Sequence, residues 1–291
     1  MTGLCSNPSN PPNPSNPSNL ILEKALSRSL NAGVAGYSAM IFQVTSMMWL
    51  RTTMNYQFKN GGTTLNTIKH LYKDGGIRRF YRGVSFALLY APIARFGDTA
   101  ANVGVMTYLE DSDMSKANKT FIGSTIAGLW RITVIPIDAF KSNLQIHGNK
   151  GITVLKEKIA KEGYRSLFNG AKASYFATLV GHFPWFYTYN YLQDEIPKQE
   201  SATLNFLRSG SIGFCSSATS DIVSNSIRIL KINKQTGNET TYKQVVENIV
   251  KKDCVVGMFT RGLKTKLMIN GLQGFIFVVV FDKMKNYLNL K

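Results

Sequence analysis

Residues 136–145 read PIDAFKSNLQ and residues 162–170 read EGYRSLFNG, and these two segments decide the fold. In the first, a proline is followed by an acid two residues later and by a base five residues later. A proline inside a helix removes a backbone donor and bends the helix. Charged side chains just beyond such a bend can pair with neighbouring helices in an apolar setting. The two segments therefore predict a bent helix, followed by a linker that ends at Gly170.

Related segments occur twice more along the chain. Residues 74–83 (DGGIRRFYRG) and 253–262 (DCVVGMFTRG) resemble the end of the linker, and the three closing glycines are 87 and 92 residues apart. Residues 46–55 (SMMWLRTTMN) and 219–228 (TSDIVSNSIR) precede them by about thirty residues or more. Self-similarity at a fixed period is the signature of internal repeats. The sequence thus predicts three units of about 90 residues, each with two apolar stretches joined by a linker.

The chain is strongly basic, with 34 Lys and Arg against 17 Asp and Glu and a formal net charge of +17. Such a charge fits nucleic acid, anionic lipid or an anionic solute as a partner. Because the charges stand between long apolar stretches, such as the uncharged residues 267–281, lipid and solute are favoured over nucleic acid. The three scattered cysteines and three histidines form neither a disulfide framework nor a metal-binding motif.

The N-terminal segment differs from the rest of the chain. Residues 6–19 (SNPSNPPNPSNPSN) form a Pro/Asn/Ser repeat that cannot bury a core, so we expect residues 1–22 to be a disordered tail. The segment has neither the apolar stretch of a signal peptide nor the arginines of a transit peptide. If the protein enters an organelle, we therefore expect an internal targeting signal.

The repeated pattern resembles the mitochondrial carrier family over nearly all of residues 25–290. The middle copy matches the family signature closely, whereas the first and third copies have replaced several signature residues. The resemblance implies an all-α membrane protein with six transmembrane helices in three pseudo-symmetric repeats, together with short matrix-side helices. The implied repeats span residues 23–112, 113–202 and 203–291.

The same resemblance implies a gate on the matrix side, where the acid of each odd-numbered helix pairs with the base of the next. The implied contacts are Met48 with Lys141, Asp138 with Ser224, and Asp221 with Arg51. Only the last of these is an ion pair; the second could be a hydrogen bond and the first is absent. Gln145 matches the polar residue that braces such pairs, and Asn55 and Arg228 occupy the equivalent places in the other copies.

On the cytoplasmic side the family carries an aromatic residue, an acid and, three residues after the acid, a base on its even-numbered helices. Phe281, Asp282 and Lys285 keep this pattern, whereas Asn190 and Gln193 keep the spacing without the charges. The first copy has lost it. An ordinary surface pair is the alternative interpretation of Asp282 and Lys285.

Solute contacts in this family lie seven residues after each closing glycine. The positions implied here are Tyr90, Ala177 with the adjacent Thr178, and Ile269. Arg131 and Asp98 are added because charged residues at membrane depth usually face a cavity. Two alternatives stand beside this expectation: Arg131 could reach the membrane interface, and Asp98 could pair with Arg95. An arginine and an aspartate facing one cavity would suit a zwitterion or another polar molecule.

The resemblance implies secondary transport of a small metabolite by alternating access, in a multi-pass protein of the mitochondrial inner membrane. Peroxisomal and plastid membranes are the less favoured locations. No nucleophile–base pair or carboxylate dyad stands out, so we expect no catalytic residue, cofactor or metal, and the protein is not an enzyme. The expected partners are a small solute and cardiolipin, with no nucleic acid, and the protein is expected to be a monomer. The alternative is a carrier-fold protein that no longer transports and serves as a membrane scaffold or adaptor.

Overall fold

The computed structural model describes residues 17–198, 200–239 and 241–273, and every regular element in them is helical. The helices are α1 (Pro17–Asn60), α2 (Thr64–Phe80), α3 (Val84–Tyr108), α4 (Lys116–Thr133), α5 (Ile135–His147), α6 (Gly151–Glu162), α7 (Ala171–Glu195), α8 (Ala202–Thr236) and α9 (Tyr242–Thr260). Short 3-10 turns cover Gly148–Lys150 and Tyr164–Phe168, and residues 263–273 are again helical.

Helix α1 begins at Pro17, so it includes the last six residues of the predicted tail, residues 17–22. Proline is well tolerated in the first turn of a helix, where its missing N–H group would have no helical partner. The apolar residues that follow it then continue directly into the helix. The remainder of the predicted tail, residues 1–16, lies outside the described residues.

The long helices form a ring in chain order. Helix α1 packs against α3, α3 against α4, α4 against α7 and α7 against α8, and a contact between α1 and α8 brings the two ends of the ring together. Helices α2, α6 and α9 are the short helices of the three linkers, and each precedes one of the closing glycines 83, 170 and 262. This arrangement leaves a space enclosed by the long helices.

Only the middle repeat has the bend that its proline predicts. The chain breaks at Val134 between α4 and α5, and Pro136 occupies the first turn of α5. Helices α1 and α8 run unbroken for 44 and 35 residues because no proline interrupts them at the equivalent place. In the described ranges no single helix meets a length-and-hydropathy test for a membrane span, but the bent pair Lys116–Thr133 and Ile135–Glu162 meets it.

The three linkers share two unusual backbone turns. Gly83, Gly170 and Gly262 all adopt left-handed conformations, with φ values of 80°, 86° and 66°. Earlier in each linker a second residue has positive φ: Gly76 (62°), Gly163 (74°) and Cys254 (56°). Glycine adopts such angles readily, whereas a side chain there strains the backbone. Cys254 is therefore the one residue among these six that departs from the requirement of its turn.

Candidate functional site: the central cavity

A cavity of about 400 Å³ lies between the long helices. That volume is within the range of typical small-molecule sites. Its lining contains seven basic residues and two acidic ones from the described part of the chain. The basic residues are Arg51, Arg95, Arg131, Lys141, Arg228, Lys231 and Lys266, and the acidic ones are Asp98 and Asp138.

The closing glycines reveal which residues of the three repeats are equivalent. A Cβ atom built on each glycine would lie 3.0–3.1 Å from one backbone carbonyl oxygen of a neighbouring long helix. The three pairs are Gly83 with Lys141, Gly170 with Lys231, and Gly262 with Met54. Met54, Lys141 and Lys231 therefore occupy the same place in the three repeats. The residues three positions earlier, Arg51, Asp138 and Arg228, are then equivalent as well.

This register corrects the predicted matrix gate. The carboxylate of Asp138 binds Lys231, with Nζ 2.6 Å from Oδ2, and also binds Lys141 one turn along its own helix. The side-chain amide of Gln235 donates to the same Oδ2 at 3.2 Å. Both lysines lie over the ring of Tyr90, at 4.2 Å and 5.5 Å from its centroid. Asp138 is thus the common counter-ion of two cations from neighbouring helices.

The predicted partners of this gate are not paired as expected. The hydroxyl of Ser224 donates to the Ser220 carbonyl oxygen instead of Asp138. Asp221 lies 3.4 Å from Arg228 and accepts a 2.6 Å hydrogen bond from Asn270, so it does not pair with Arg51. The cause is the third copy of the signature, which begins seven residues later than its sequence similarity suggested. A shift of seven residues is close to two helical turns and keeps the same helix face.

The predicted brace at Gln145 makes a contact between two repeats. Its side-chain oxygen accepts a 2.5 Å hydrogen bond from the amide of Asn55, and both side chains are buried. The Gln145 amide nitrogen also lies 3.7 Å from the Met48 sulfur. Gln145 therefore connects α5 to α1 beside Met48, the uncharged residue at one of the predicted gate positions. Met48 itself is fully buried in an apolar cluster with Val44 and Ala87.

Asp98 and Arg131 form a forked ion pair between α3 and α4. The Arg131 Nε atom donates to Asp98 Oδ1 at 2.9 Å, and its Nη2 atom binds Oδ2. Both residues line the cavity, as expected from the sequence. The partner of Asp98 is thus Arg131 rather than Arg95. Paired in this way, the two residues neutralise each other.

The other predicted solute contacts lie in different surroundings. Ala177 and Thr178 line a second lobe of about 60 Å³, which shares Arg131, Arg228 and Lys231 with the main cavity. Thr178 donates its hydroxyl to the Ser174 carbonyl oxygen at 3.1 Å. Ile269 is 2% exposed and packs with Met47 and Leu50 in an apolar cluster instead of lining the cavity.

The sequence comparison agrees with this threefold arrangement. The profile of the family described as "Mitochondrial carrier protein" matches residues 23–111, 112–200 and 202–291 in turn. The chain belongs to this mitochondrial carrier family. Its members are solute transporters, and this carrier is accordingly a six-helix, multi-pass protein of the mitochondrial inner membrane. Family membership leaves its solute open.

The curated relatives are distant from this carrier. The "Mitochondrial citrate transporter D" of Aspergillus niger is 22% identical over 252 residues, which cover 79% of this chain and 81% of the relative. The "Mitochondrial 2-oxodicarboxylate carrier" of Rattus norvegicus is 23% identical over 230 residues, covering 73% and 76%. "Protein dif-1" of Caenorhabditis elegans is 34% identical over 122 residues, but these cover only 36% of this chain and 37% of the relative.

The predicted cytoplasmic gate of this carrier is described in one repeat only. The side chain of Asn190 is exposed. Gln193 accepts a 2.7 Å hydrogen bond from Arg208, whose guanidinium also donates to the Gln193 and Ile196 carbonyl oxygens. Asp282 and Lys285 lie outside the described residues, so their pairing stays a prediction.

Sequence reasoning missed four cavity cations of this carrier as site residues: Arg228 was assigned to a brace, Arg95 was named only as a possible partner of Asp98, and Lys231 and Lys266 were assigned no role. The glycine spacing contained the missing signal. Counting back from Gly262 by the interval that separates Pro136 from Gly170 reaches residue 228, which is close to Ser226, the equivalent of Pro136 in the structure, and farther from Thr219, the equivalent that sequence similarity suggested. The local similarity of Asp221 to Asp138 outweighed that interval and set the wrong register.

Proposed function

We propose that this carrier moves a small anionic metabolite across the inner membrane, and that the central cavity is its pathway. The observation that supports this proposal is the lining of the cavity, where seven basic residues face two carboxylates. Charges held at membrane depth are costly unless they are compensated. A solute with negative charge would provide the missing compensation while it occupies the cavity. This replaces the zwitterion suggested by Asp98 and Arg131, because those two side chains neutralise each other.

The relatives support the same class of solute. Two of them are named for citrate and 2-oxodicarboxylates, which are multiply charged anions. At 22% and 23% identity they do not identify the solute of this chain, but they show that the family fold is used for such anions. Transport of this kind requires binding and a change of access only, so we propose no covalent chemistry. Cardiolipin binding and a monomeric state remain predictions from the resemblance.

One observation favours the second candidate, a carrier-fold protein that no longer transports. The register of the repeats puts Arg51 and Arg228 at two of the three places where the family has an acid. The matrix gate is therefore reduced to the contacts of Asp138, and the driving force that closes it is smaller than in a gate of three ion pairs. A membrane scaffold would have no need of that closure.

A thermal-shift screen of detergent-purified protein, followed by uptake into proteoliposomes, separates the two candidates. A ligand that binds the folded state raises the melting temperature by mass action. We expect carboxylates or phosphates to raise it, and neutral sugars and zwitterionic amino acids to leave it unchanged. A cooperative melting transition that no anion shifts, together with an absence of anion uptake, would favour the scaffold.

A further inference from the structure

Two of the cavity cations contact a single carboxylate, Asp221, and a third lines the same cavity without a carboxylate partner among the described residues. Arg228 Nη2 lies 3.4 Å from Asp221 Oδ1, and Lys266 Nζ lies 4.0 Å from Asp221 Oδ2. Arg51 lines the same cavity as Arg228 and Lys266. We call Arg51, Arg228 and Lys266 the basic triad. Its residues come from α1, α8 and the helical segment 263–273, which are the first and third repeats.

Arg51 is the least compensated member of the triad. Within residues 17–198, 200–239 and 241–273 it has no carboxylate partner, and its Nη2 atom lies 3.7 Å from the Met40 sulfur. Its Nε atom is buried without a hydrogen-bond partner. Arginine usually fills its donor positions, and a buried guanidinium without an acceptor carries a desolvation cost. A ligand oxygen that reached Arg51 would remove that cost.

The other four cavity cations also outnumber their two carboxylates by two, but Arg95 is exposed and the other three each contact a carboxylate. Lys141 and Lys231 share Asp138, and Arg131 is held by Asp98. The triad has three positive charges and one carboxylate, Asp221, which leaves an excess of two. That carboxylate is itself divided, because Asn270 also donates to it at 2.6 Å. Among the described residues, Arg51 of the triad is therefore the cavity cation that is neither exposed nor paired with a carboxylate.

We propose that the basic triad is the subsite for a doubly charged anionic group, either the two carboxylates of a dicarboxylate or one phosphate. Two negative charges would balance the excess of two, and guanidinium groups bind carboxylate and phosphate oxygens in pairs. This inference rests on the proposed function and names the solute class of the same cavity. It also moves the anchoring residues away from Tyr90, Ala177 and Ile269, none of which bears a charge.

The triad can be tested with Arg51→Gln, Arg228→Gln and Lys266→Gln in full-length, detergent-purified protein. Arg165→Gln is the control, since Arg165 is exposed and does not line the cavity. Succinate and inorganic phosphate are the doubly charged probes, and butyrate is the singly charged one. We expect each triad variant to weaken binding of the doubly charged probe by about 10- to 100-fold, the usual effect of losing a hydrogen bond to a charged group. Arg165→Gln should change it by less than about threefold.

Asp221→Asn provides a test in the opposite direction. It removes the carboxylate that competes with the ligand, while the amide can keep the contact with Asn270. The excess at the triad rises from two charges to three, so we expect tighter binding of succinate or phosphate. A residue needed only for folding would instead lower the melting temperature without improving affinity.

The outcomes separate the subsite from the transport function. Weaker binding in the three triad variants, with tighter binding in Asp221→Asn, supports the subsite, and the preferred probe tells dicarboxylate from phosphate. Anion uptake that persists unchanged in all three variants would overturn the subsite while the proposed function stands. If butyrate binds as tightly as succinate and phosphate, the doubly charged class is wrong. A wild-type protein that takes up no anion overturns the proposed function, and the subsite with it.

Discussion

Replacing Cys254 with glycine should stabilise this carrier. Cys254 has φ 56° and ψ −174°, and its counterpart Gly163 in the middle repeat has φ 74° and ψ 179°. This region of backbone space is occupied almost only by glycine, and another residue there costs about 1–3 kcal/mol. Glycine gives back about 0.5–1 kcal/mol through the greater freedom of the unfolded chain. The expected net gain in the free energy of unfolding is therefore about 0.5–2 kcal/mol.

The assay is thermal unfolding in detergent, with the half-life at a fixed temperature as a second measure because large proteins often unfold irreversibly. A gain of this size should raise the melting temperature by about 1–3 °C. Cys254→Ser is the control, since it removes the thiol but keeps the Cβ atom, and it should bring no gain. Gly163→Cys is the reverse change: a Cβ there would meet no atom within 4 Å, so only backbone strain should lower its stability.

The reasoning would be refuted by a Cys254→Gly protein that melts at or below the wild-type temperature. It would also fail if Cys254→Ser stabilised the protein as much as Cys254→Gly, because the thiol and not the backbone would then be responsible. A stable Gly163→Cys protein would show that this turn tolerates a side chain in every repeat.

The remaining predictions concern the matrix side and the gate. Lys158 donates to the Lys234 and Gly237 carbonyl oxygens at 3.0 Å and 2.7 Å, so Lys158→Ala should lower the free energy of unfolding by about 1–3 kcal/mol in a melting assay. Lys156→Ala, on the exposed face of the same helix, should leave the free energy of unfolding unchanged. Equal losses in the two variants would contradict a contribution from the two Lys158 hydrogen bonds. Burial lowers the pKa of Lys158, so the folded protein loses this proton at a lower pH than the unfolded chain does. The free energy of unfolding therefore rises with pH through that interval. The melting-temperature difference between wild type and Lys158→Met should therefore widen as pH rises through the Lys158 titration. A difference that does not change with pH would contradict this. Asp138→Asn should abolish uptake and cost about 3–5 kcal/mol because two buried lysines lose their counter-ion. Adding Lys231→Gln should restore part of the melting temperature, and no recovery in the double variant would argue against the pair.

The fold was largely predictable from the sequence because it depends on features that are local and repeated. The Pro136 signature, the closing glycines and their spacing are enough to predict three repeats, and the match of the family profile to residues 23–111, 112–200 and 202–291 agrees with them. The predicted bend appears where the proline is present, between α4 and α5. The bend is absent from α1 and α8, which have no proline at the position equivalent to Pro136.

The charge pairing was less predictable because it depends on register between distant segments. Asp138 was identified as a gate residue, but its partner Lys231 lies two helical turns beyond the predicted Ser224. The sequence around Asp221 resembles the sequence around Asp138, the acid of the signature. Asp221 instead contacts Arg228 and Asn270, and it does not occupy the position equivalent to Asp138. Asp98 and Arg131 were chosen for the cavity individually. Their pairing with each other follows only from the approach of α3 to α4.

The most direct test of the central claim is uptake of radiolabelled succinate and, separately, phosphate into liposomes that contain the purified carrier. The account predicts saturable uptake of at least one of these doubly charged anions, which Arg228→Gln reduces and Arg165→Gln leaves nearly unchanged. Uptake no faster than into liposomes without protein, by a sample that still melts cooperatively, would contradict it.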